Sequence, residues 1–410
     1  MTPALPRCQG CGAPLTRTFV DLGAMPLANA YVAADSAVPE PSYPLHARVC
    51  DNCLLVQVDP VVPPEEIFSD YAYFSSYSDT WLAHCRAYAD MAVGRFSLTA
   101  ASKVVEIASN DGYLLANFVA AGIPCLGIEP AANVAKTARA RGVPTEVAFF
   151  GVDTARWLLA AGHDADLIAA NNVLAHVPAI NDFVAGIRIL LKPNGTVTVE
   201  FPHLLNLIRS VQFDTIYHEH FTYLSLFALE QILSRHGLRV FDVEELPTHG
   251  GSLRVFACHR ADPRPERPGA AAVRTRERSA SLDRREGYEG FSQRVAQVRQ
   301  GLVAFLRCAA AEGRKVAAYG AAAKGNTLLN HCAIGRDLVA FVADRNPNKQ
   351  GRLLPGSHIP IRAPDAIFAE RPDYVLILPW NLREEISGQL AAVRDWGAQF
   401  VTAIPAVRVG

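Results

Sequence analysis

From residue 103 to residue 202 the chain alternates short apolar runs with longer segments of helical periodicity. Apolar runs of roughly four to eight residues fit buried strands, whereas apolar residues three or four positions apart fit one face of a helix. Strands that alternate with helices in this way predict a parallel sheet with right-handed crossovers. The predicted strands are KVVEIA, CLGIEP, DLIAANNVL and TVTVEFP, and the predicted helices are GYLLANFVAAG, ANVAKTARARG and a segment near 181 to 192.

The segments on either side of this region have different patterns. Residues 65–97 begin with mixed aromatic and polar positions and then take on helical spacing, which predicts a lead-in helix. Residues 260–290 are dense in Arg, Glu, Pro and Ala, a composition typical of a solvated linker that leads into a helix. After this segment KVAAYGAAAKGNTLLNHC, DLVAFVADRNPNKQG and YVLILPW predict a second α/β unit from about residue 313.

The charge balance excludes some classes of partner. The 410 residues include 39 Lys and Arg against 40 Asp and Glu, so no net positive charge favours nucleic acid or an anionic membrane. A basic start followed by an apolar segment is absent from the N-terminus, and no run of about 18 uncharged apolar residues occurs. We therefore expect a cytoplasmic, monomeric protein that binds a small molecule and neither nucleic acid nor membrane.

Four of the nine cysteines form two CxxC pairs, Cys8 with Cys11 and Cys50 with Cys53. A CxxC turn directs two thiolates at one point about 2.3 Å away, and two such turns complete a tetrahedral shell around zinc. Surface or redox cysteines are the alternative, but a redox CxxC normally occurs singly beside a βαβ unit. Because four thiolates leave no open coordination position, we expect the zinc to be structural rather than catalytic.

Polar side chains follow the first two predicted strands. The turn after the first strand contains Asn110, Asp111 and Gly112, and Glu129 ends the second strand about twenty residues later, where a carboxylate can accept hydrogen bonds from ribose hydroxyls. The turn is acidic and lacks the glycines of a GxGxxG phosphate loop. This combination is typical of class I S-adenosylmethionine-dependent methyltransferases, and a dinucleotide would need a free helix N-terminus for its pyrophosphate.

The predicted strand that begins at Asp166 ends in AANNVLAHV, which places Asn171, Asn172 and His176 at the carboxyl edge of the sheet, where α/β proteins bind ligands. A histidine that starts a helix and is satisfied locally is the alternative for His176. Its position at the sheet edge favours the site.

The stretch YHEH, residues 217–220, lies between apolar segments, and HGGS, residues 249–252, follows the next predicted helix. Four ionisable side chains in such surroundings cost desolvation energy unless they pair, bind a metal or do chemistry. His218 and His220 are spaced to bind zinc together, but a catalytic metal would want a third ligand. A buried polar cluster that braces the fold is also possible. A neutral imidazole that removes an acidic C–H proton near pH 7 is the functional interpretation.

The order of these motifs resembles that of the sugar C-methyltransferases of antibiotic deoxysugar pathways, the family that includes the C-3′-methyltransferase of tetronitrose biosynthesis. The resemblance spans nearly the whole chain. It implies an α/β protein with a zinc-binding N-terminal module, a central class I methyltransferase domain of Rossmann-like fold, and a second, C-terminal Rossmann-like α/β domain. The motifs are CxxC, CxxC, YFSSYSDTW, EIASNDGYLL, GIEP, NNVLAHV, YHEHFTYLSL, HGGSLRVF, YGAAAKGNTLLN and DRNPNKQG.

The resemblance also implies an activity, which is methyl transfer from S-adenosylmethionine to C-3′ of a dTDP-linked 4-keto-deoxysugar. His220 would remove the C-3′ proton, Tyr217 and Glu219 would assist it, and His176 would line the same pocket. The residues expected to bind the methyl donor are Asn110, Asp111, Gly112, Glu129, Asn171, Asn172 and Ser78. The residues expected to bind the nucleotide sugar are Tyr71, His249, Ser252 and Lys324.

We expect domain boundaries at 1–64 for the zinc-binding domain, 65–260 for the methyltransferase domain, 261–312 for a linker and helix, and 313–410 for the C-terminal domain. The C-terminal domain either contacts the nucleotide through Lys324 or docks without a ligand of its own. Two other functions share this fold: methyl transfer to another nucleotide sugar or to an O or N acceptor, and a scaffold that binds zinc and S-adenosylmethionine without turnover.

Overall fold

The computed structural model describes residues 5–36, 39–63, 66 and 79–410. These residues form two compact units that are interleaved along the chain. The first unit contains the N-terminal residues through Leu15, Cys50–His203 and Phe221–Gly287, and the second contains Thr16–Val49, Leu204–His220 and Tyr288–Gly410. The linear domain boundaries expected from the sequence remain predictions.

The regular elements of the described residues alternate along much of the chain. The helices are α1 (Asp79–Phe96), α2 (Leu115–Ala120), α3 (Ala132–Ala140), α4 (Val152–Ala160), α5 (Ile180–Leu190), α6 (Leu204–Arg209), α7 (Leu226–Arg235), α8 (Pro268–Ser279), α9 (Phe291–Ala311), α10 (Ala323–His331), α11 (Asp365–Glu370) and α12 (Arg383–Gln389). The strands are β1 (Arg17–Met25), β2 (Val32–Ala33), β3 (Tyr43–Val49), β4 (Val56–Val58), β5 (Val104–Ile107), β6 (Cys125–Ile128), β7 (Thr145–Glu146), β8 (Ala165–Asn171), β9 (Leu191–Pro202), β10 (Thr222–Tyr223), β11 (Leu238–Leu246), β12 (Ser252–His259), β13 (Val316–Tyr319), β14 (Val342–Ala343), β15 (Arg352–Leu353), β16 (Ile361–Arg362), β17 (Tyr374–Ile377), β18 (Gln399–Thr402) and β19 (Arg408–Val409).

The first unit is built on a seven-stranded sheet with the order β11-β12-β9-β8-β5-β6-β7. Strands β5 to β9 pair in parallel, whereas β12 runs antiparallel to both β9 and β11. All four residues of β5 are buried, as expected for a central strand whose two faces are both covered. The parallel sheet and its crossover helices confirm the α/β class predicted from the apolar pattern.

Helix α1 confirms the predicted lead-in helix. Its most deeply buried side chains pack with Phe118 of α2 and the residues around it. These side chains are Cys85, Tyr88, Ala89 and Ala92. Among the described residues, none of the helices combines the length with the apolarity needed to cross a membrane.

Helix α8 lies within the segment that the charge density marked as a solvated linker. Arg276 and Arg278 are exposed, but Ala270, Val273 and Glu277 recur on one side of the helix and are buried. The high density of charge therefore concealed a helix with a narrow packed face.

Glu277 anchors this helix to the start of α7. Its carboxylate accepts hydrogen bonds from the backbone amides of Leu226 (2.6 Å) and Phe227 (2.9 Å). The His203 ring nitrogen Nε2 lies 2.7 Å from Glu277 Oε1, and both side chains are 2% exposed. Because the first amides of a helix lack intrahelical acceptors, Glu277 acts as a cap supplied from another helix.

The second unit contains a six-stranded sheet with the order β16-β14-β13-β17-β18-β19. Its strands are parallel except β19, which runs antiparallel to β18. This sheet confirms the second α/β unit predicted from the sequence. The unit also contains the antiparallel pair of β1 and β3, and Phe19 of β1 stacks on Phe291 of α9 with ring centroids 4.4 Å apart.

The cysteine pairs lie together in the first unit, and each CxxC turn is followed by a residue with positive φ, Gly12 at 74° and Leu54 at 57°. The four sulfur atoms lie within 4.8 Å of one another. Two of the sulfur pairs, Cys8 with Cys53 and Cys11 with Cys50, are 3.5 Å apart. A tetrahedral shell with Zn–S bonds of about 2.3 Å requires sulfur separations of about 3.8 Å, so the arrangement fits zinc.

Hydrogen bonds fix both cysteine turns to the helices of the same unit. Asn181 of α5 donates to the carbonyl oxygen of Gln9 (2.7 Å), and Gln231 of α7 donates to that of Cys53 (3.2 Å). The amide of Gln57 donates to Cys8 Sγ at 3.3 Å, as is typical of groups that orient metal ligands. The metal site therefore has a structural role, because it holds two distant segments of the chain against helices α5 and α7.

We expect purified protein to contain one zinc per chain, and Cys50→Ser to lose it. Without the metal the remaining thiolates repel one another, so the melting temperature should fall by at least about 10 °C. Elemental analysis and calorimetry measure both quantities. Cys308→Ser, at an exposed cysteine, is the matched control and should retain metal and stability. Retention of full zinc by Cys50→Ser would contradict the four-thiolate site.

We expect Glu277→Gln to lower the free energy of unfolding by about 2–4 kcal/mol, because an amide NH2 group replaces a buried acceptor that faces backbone N–H donors. Glu384→Gln, at an exposed residue of α12, should change it little. Calorimetric unfolding of the three proteins provides the measurement. Equal stability of both variants would show that Glu277 does not cap α7.

Candidate active site

The first candidate site lies at the carboxyl edge of the sheet in the first unit. Glu106 lies in β5, residues 109–112 form the turn that follows, and Glu129 comes directly after β6. Asn171 ends β8, and Asn172 follows it with φ of 56°. Because β5, β6 and β8 run in parallel, all these residues are brought to one edge, where α/β folds bind ligands.

The Glu129 carboxylate organises this edge. Its Oε2 accepts a hydrogen bond from the backbone amide of Asn110, and its Oε1 accepts one from that of Ala131, both at 2.9 Å. Asn110 itself has φ of 48°, so the turn folds back toward the second strand. Each carboxylate oxygen keeps a further lone pair, and these can accept hydrogen bonds from the hydroxyls of a ribose.

Asp111 and Gly112, the next two residues of the turn, also stabilise its structure. Asp111 is fully buried, and its Oδ2 lies 2.9 Å from Nη1 of Arg141 in an ion pair. Gly112 has φ of 77°, and a Cβ added to it would lie 2.9 Å from a methyl carbon of Val143. Both residues, expected from the sequence to bind the donor, therefore also shape the turn that carries Asn110.

The electrostatics of the edge distinguish between classes of cofactor. Burial, and then the charges of Glu129 and Asp111, raise the pKa of Glu106 well above its usual range. Burial also raises the pKa of Glu129, although its two backbone hydrogen bonds oppose the shift. A cationic sulfonium bound beside these groups would lower both pKa values and offset the cost of ionising them, whereas a pyrophosphate would raise both pKa values further.

Some buried polar atoms at this edge have no hydrogen-bond partner among the described residues. Within the described residues, Glu106 Oε2, Ser109 Oγ and Asn172 Nδ2 are buried and make no hydrogen bond. Because an unmade buried hydrogen bond costs about 1–3 kcal/mol, such atoms are expected where a polar ligand completes the structure. The residues present therefore fit S-adenosylmethionine.

A small cavity beside the turn contains residues that sequence reasoning missed. It is lined by Trp81, His84, Cys85, Tyr88, Tyr113, Leu114, Asn171 and Glu200. The ring nitrogen Nε2 of His84 lies 2.9 Å from Glu200 Oε1, and Arg254 binds the other carboxylate oxygen at 3.1 Å. Burial alone would raise the pKa of Glu200, but His84 and Arg254 outweigh it and lower that pKa. The only sequence signal is the position of Glu200 near the end of a predicted strand.

The remaining sequence-predicted residues of this unit lie in turns and at strand ends. His176 ends a single turn of 3₁₀ helix (Leu174–His176) that follows β8. His249 has φ of 55° and its ring lies 5.4 Å from that of Trp81. The hydroxyl of Ser252 donates to the carbonyl oxygen of Thr248 at 3.0 Å. Tyr71 and Ser78 lie outside the described residues.

The second candidate site is the YHEH segment of the second unit. His220 Nδ1 lies 2.9 Å from the carbonyl oxygen of Thr215, which can only accept, so Nδ1 carries a hydrogen. In the neutral ring Nε2 therefore has the free electron pair, and the Tyr217 hydroxyl donates to it at 2.8 Å. The two rings lie 4.0 Å apart. The backbone thus fixes the tautomer that makes Nε2 the basic atom.

The neighbouring residues of this segment have separate partners. His218 Nε2 donates to the carbonyl oxygen of Tyr43 at 3.2 Å, and burial lowers the pKa of His218. Glu219 Oε1 accepts a hydrogen bond from the side-chain amide of Asn29 at 2.7 Å. In the part of the chain that the structure describes, the four cysteines are the only cluster of three or more potential metal ligands.

Lys324 lies in the first turn of α10, in the second unit. Its ammonium group lies 5.0 Å from the ring centroid of Trp380 and 3.2 Å from Asn381 Oδ1. Burial lowers the pKa of Lys324, while the charge of Asp214 opposes the shift. Asp214 is fully buried, accepts a hydrogen bond from Trp380 Nε1 at 2.7 Å, and has a pKa raised by burial to about 6.

Comparisons with known proteins agree with this architecture. Three family models match successive parts of the chain: a zinc binding domain over residues 8–68, a methyltransferase domain over 81–243, and a C-methyltransferase C-terminal domain over 247–405. Their order confirms the three-part organisation implied by the resemblance.

Individual proteins are similar to this chain over different shares of its length. The C-methyltransferase NovU of Streptomyces niveus is 37% identical over 403 residues, 98% of this chain and 96% of NovU. Magnesium protoporphyrin IX methyltransferase (ChlM) from Synechocystis PCC 6803, solved with bound S-adenosylmethionine, is 13% identical over 44% of this chain and 82% of its own, with a TM-score of 0.33. The CcbJ methyltransferase from Streptomyces caelestis is 15% identical over 43% and 90%, with a TM-score of 0.35. At these scores the two solved structures are too distant to bear on substrate or mechanism.

The full-length similarity to NovU, the three family models, the four-cysteine cluster and the acidic edge of the first sheet agree with one another. The chain therefore belongs to the S-adenosylmethionine-dependent C-methyltransferase family, and its zinc is structural.

Proposed function

We propose that this enzyme methylates C-3′ of a nucleotide-linked 4-keto-deoxysugar, most simply a dTDP-linked one. The observation that carries the proposal is the fixed tautomer of His220. A carbon acceptor must lose a proton before it becomes a nucleophile, and an imidazole whose Nε2 keeps its electron pair can take that proton near pH 7. The name of NovU as a C-methyltransferase is consistent with a carbon acceptor.

A ketone next to the accepting carbon makes this chemistry possible. The 4-keto group acidifies the C-3′ hydrogen because the electrons of the broken C–H bond spread onto the carbonyl oxygen. His220 Nε2 takes the proton. C-3′ then forms a bond to the methyl carbon while the bond between that carbon and sulfur breaks, leaving its electron pair on the sulfur of the departing thioether. S-adenosylmethionine supplies that methyl group in electrophilic form, as a sulfonium. Hydrogen-bond donors that meet the enolate oxygen lower the barrier.

The Tyr217 hydroxyl occupies the hydrogen-bonding direction of His220 Nε2. Its short contact with His220 keeps the ring aligned, and exchange of this bond for the substrate leaves the phenol free to donate to a developing oxyanion. We therefore assign Tyr217 and Glu219 to assist His220.

The other sequence-predicted residues keep their proposed roles. His176 lines the reaction pocket, and Asn110, Asp111, Gly112, Glu129, Asn171, Asn172 and Ser78 hold the methyl donor. Tyr71, His249, Ser252 and Lys324 hold the nucleotide sugar.

We expect His220→Asn to lower kcat by about 10²–10⁴-fold, because asparagine preserves a hydrogen-bonding side chain but cannot accept the proton. The affinity for S-adenosylmethionine, measured by calorimetry, should not change. Exchange of the C-3′ hydrogen with D₂O, followed by NMR on the sugar alone, should also be abolished, which isolates deprotonation from methyl transfer.

His163→Asn provides a control at a histidine remote in sequence from both candidate sites. A panel of dTDP-linked 4-keto-6-deoxysugars with isotope-labelled methyl donor, analysed by mass spectrometry, identifies the acceptor. Near-normal turnover by His220→Asn, or methylation of an oxygen or nitrogen atom, would overturn the proposed carbon-acid chemistry.

A further inference from the structure

Among the described residues, Glu219 is a buried carboxyl group with one hydrogen-bond partner, Asn29. The residue is 4% exposed, and its Oε1 accepts a hydrogen bond from Asn29 Nδ2 at 2.7 Å. Its other oxygen, Oε2, makes no hydrogen bond to the described residues. The two residues are 190 positions apart in the chain but lie within the same unit.

A second set of contacts fixes the orientation of the Asn29 amide. The Tyr31 hydroxyl shares its one hydrogen between two acceptors, Asn29 Oδ1 at 3.3 Å and the carbonyl oxygen of Ala321 at 2.7 Å. Lys349 donates to the same carbonyl oxygen at 2.8 Å, and its ammonium lies 5.2 Å from the Tyr31 ring centroid. With its carbonyl end facing Tyr31, the amide presents its NH2 end to Glu219.

In the described part of the chain, no cationic side chain pairs directly with Glu219. Lys349 is paired with Asp344 at 3.9 Å and bound to the Ala321 carbonyl. The adjacent histidines bond elsewhere, His218 to Tyr43 and His220 to Thr215 and Tyr217. Burial raises the pKa of Glu219 to about 7, although the hydrogen bond from Asn29 opposes the shift. Near neutral pH the carboxyl group is therefore protonated in a large fraction of molecules.

The hydrogen bond from Asn29 decides which oxygen carries the proton. In a neutral carboxylic acid the carbonyl oxygen is the better acceptor, and the hydroxyl oxygen carries the one donor. Because Asn29 donates to Oε1, this atom becomes the carbonyl oxygen and the proton resides on Oε2. The free side of Glu219 is thus a hydrogen-bond donor rather than an acceptor.

We propose that Asn29 is a positioning residue that orients the neutral acid form of Glu219, so that Oε2–H donates a hydrogen bond to the ketone oxygen of the substrate and to the enolate that forms from it. This inference rests on the proposed function, because it assumes a ketone acceptor. A neutral acid serves this purpose because a carboxylate would repel the developing negative charge.

Titration of Glu219 tests the positioning independently of turnover. Protein labelled with ¹³C at the glutamate carboxyl carbon is titrated by NMR, and the Glu219 signal is assigned by its loss in Glu219→Gln. We expect it to titrate near neutrality in the wild type and at higher pH in Asn29→Ala, because the lost hydrogen bond favoured the charged form. Asn29→Asp should raise it further, since the two acids share one proton. Tyr31→Phe should shift it in the same direction as Asn29→Ala by a smaller amount.

The pH profile of kcat provides the kinetic test. If the protonated acid is the active form, wild-type kcat falls as pH rises through the Glu219 pKa. In Asn29→Ala the plateau should fall about 10–100-fold, while this alkaline limb moves to higher pH. The KM for the nucleotide sugar and the affinity for S-adenosylmethionine should change little. Asn348→Ala, at an exposed asparagine of the same unit, is the control and should match the wild type in every measurement.

Each outcome is informative. A Glu219 signal that titrates near the ordinary glutamate value of about 4.3, or an alkaline limb that stays at the same pH in both Asn29 variants, would overturn the proposal. If Asn29→Ala is poorly folded, Tyr31→Phe still decides through the direction of its shift. If the titrations shift as expected but the wild type methylates no 4-keto sugar, the positioning by Asn29 stands and only the proposed substrate falls.

Discussion

The burial of carboxyl groups away from strong cations is the constraint on which both candidate sites depend. In water a glutamate is ionised at neutral pH, whereas Glu106, Glu129 and Glu219 are buried and have raised pKa values. At the edge of the first sheet, a bound sulfonium would offset the cost of ionising these carboxyl groups. In the second unit, Glu219 is an acid that keeps its proton near neutral pH. The same burial therefore suits the first site to a ligand that brings positive charge and the second to donating a hydrogen bond to a developing oxyanion.

The buried groups with strong partners serve other purposes. Glu200 is ionised and held by Arg254 and His84, and Asp111 is held by Arg141. Buried ion pairs such as that of Glu200 with Arg254 add little net stability but cost several kcal/mol when one member is removed. They set the shape of the strand ends on which the donor-binding residues lie. The ion-paired acids at these strand ends therefore support the structure, whereas the acids without an ion pair are suited to binding and catalysis.

Much of the fold was predictable because its signals are local in the sequence. The cysteine spacing gave the zinc ligands, the alternation of apolar runs gave both α/β units, and the distance from the first turn to Glu129 indicated a nucleoside-binding edge. Contacts between distant positions were not predictable. Asn29 meets Glu219 across 190 positions, and His84 meets Glu200 across 116. Helix α8 was missed for a different reason, since its many arginines concealed the spacing of its buried residues. The local sequence pattern predicts the helices and strands, whereas only the folded structure shows which side chains those elements bring together.

The interleaving of the units has a consequence for how the chain is made. Strand β1 is complete by residue 25, but Phe291, on which the Phe19 ring stacks, is synthesised more than 260 residues later. The ribosome therefore releases apolar surface long before the segment that covers it exists, which is a known route to misassembly. Neither unit corresponds to a contiguous gene fragment, so domain-wise expression by simple truncation is expected to fail. A permuted gene that brings residues 16–49 next to the C-terminal segment would shorten this wait.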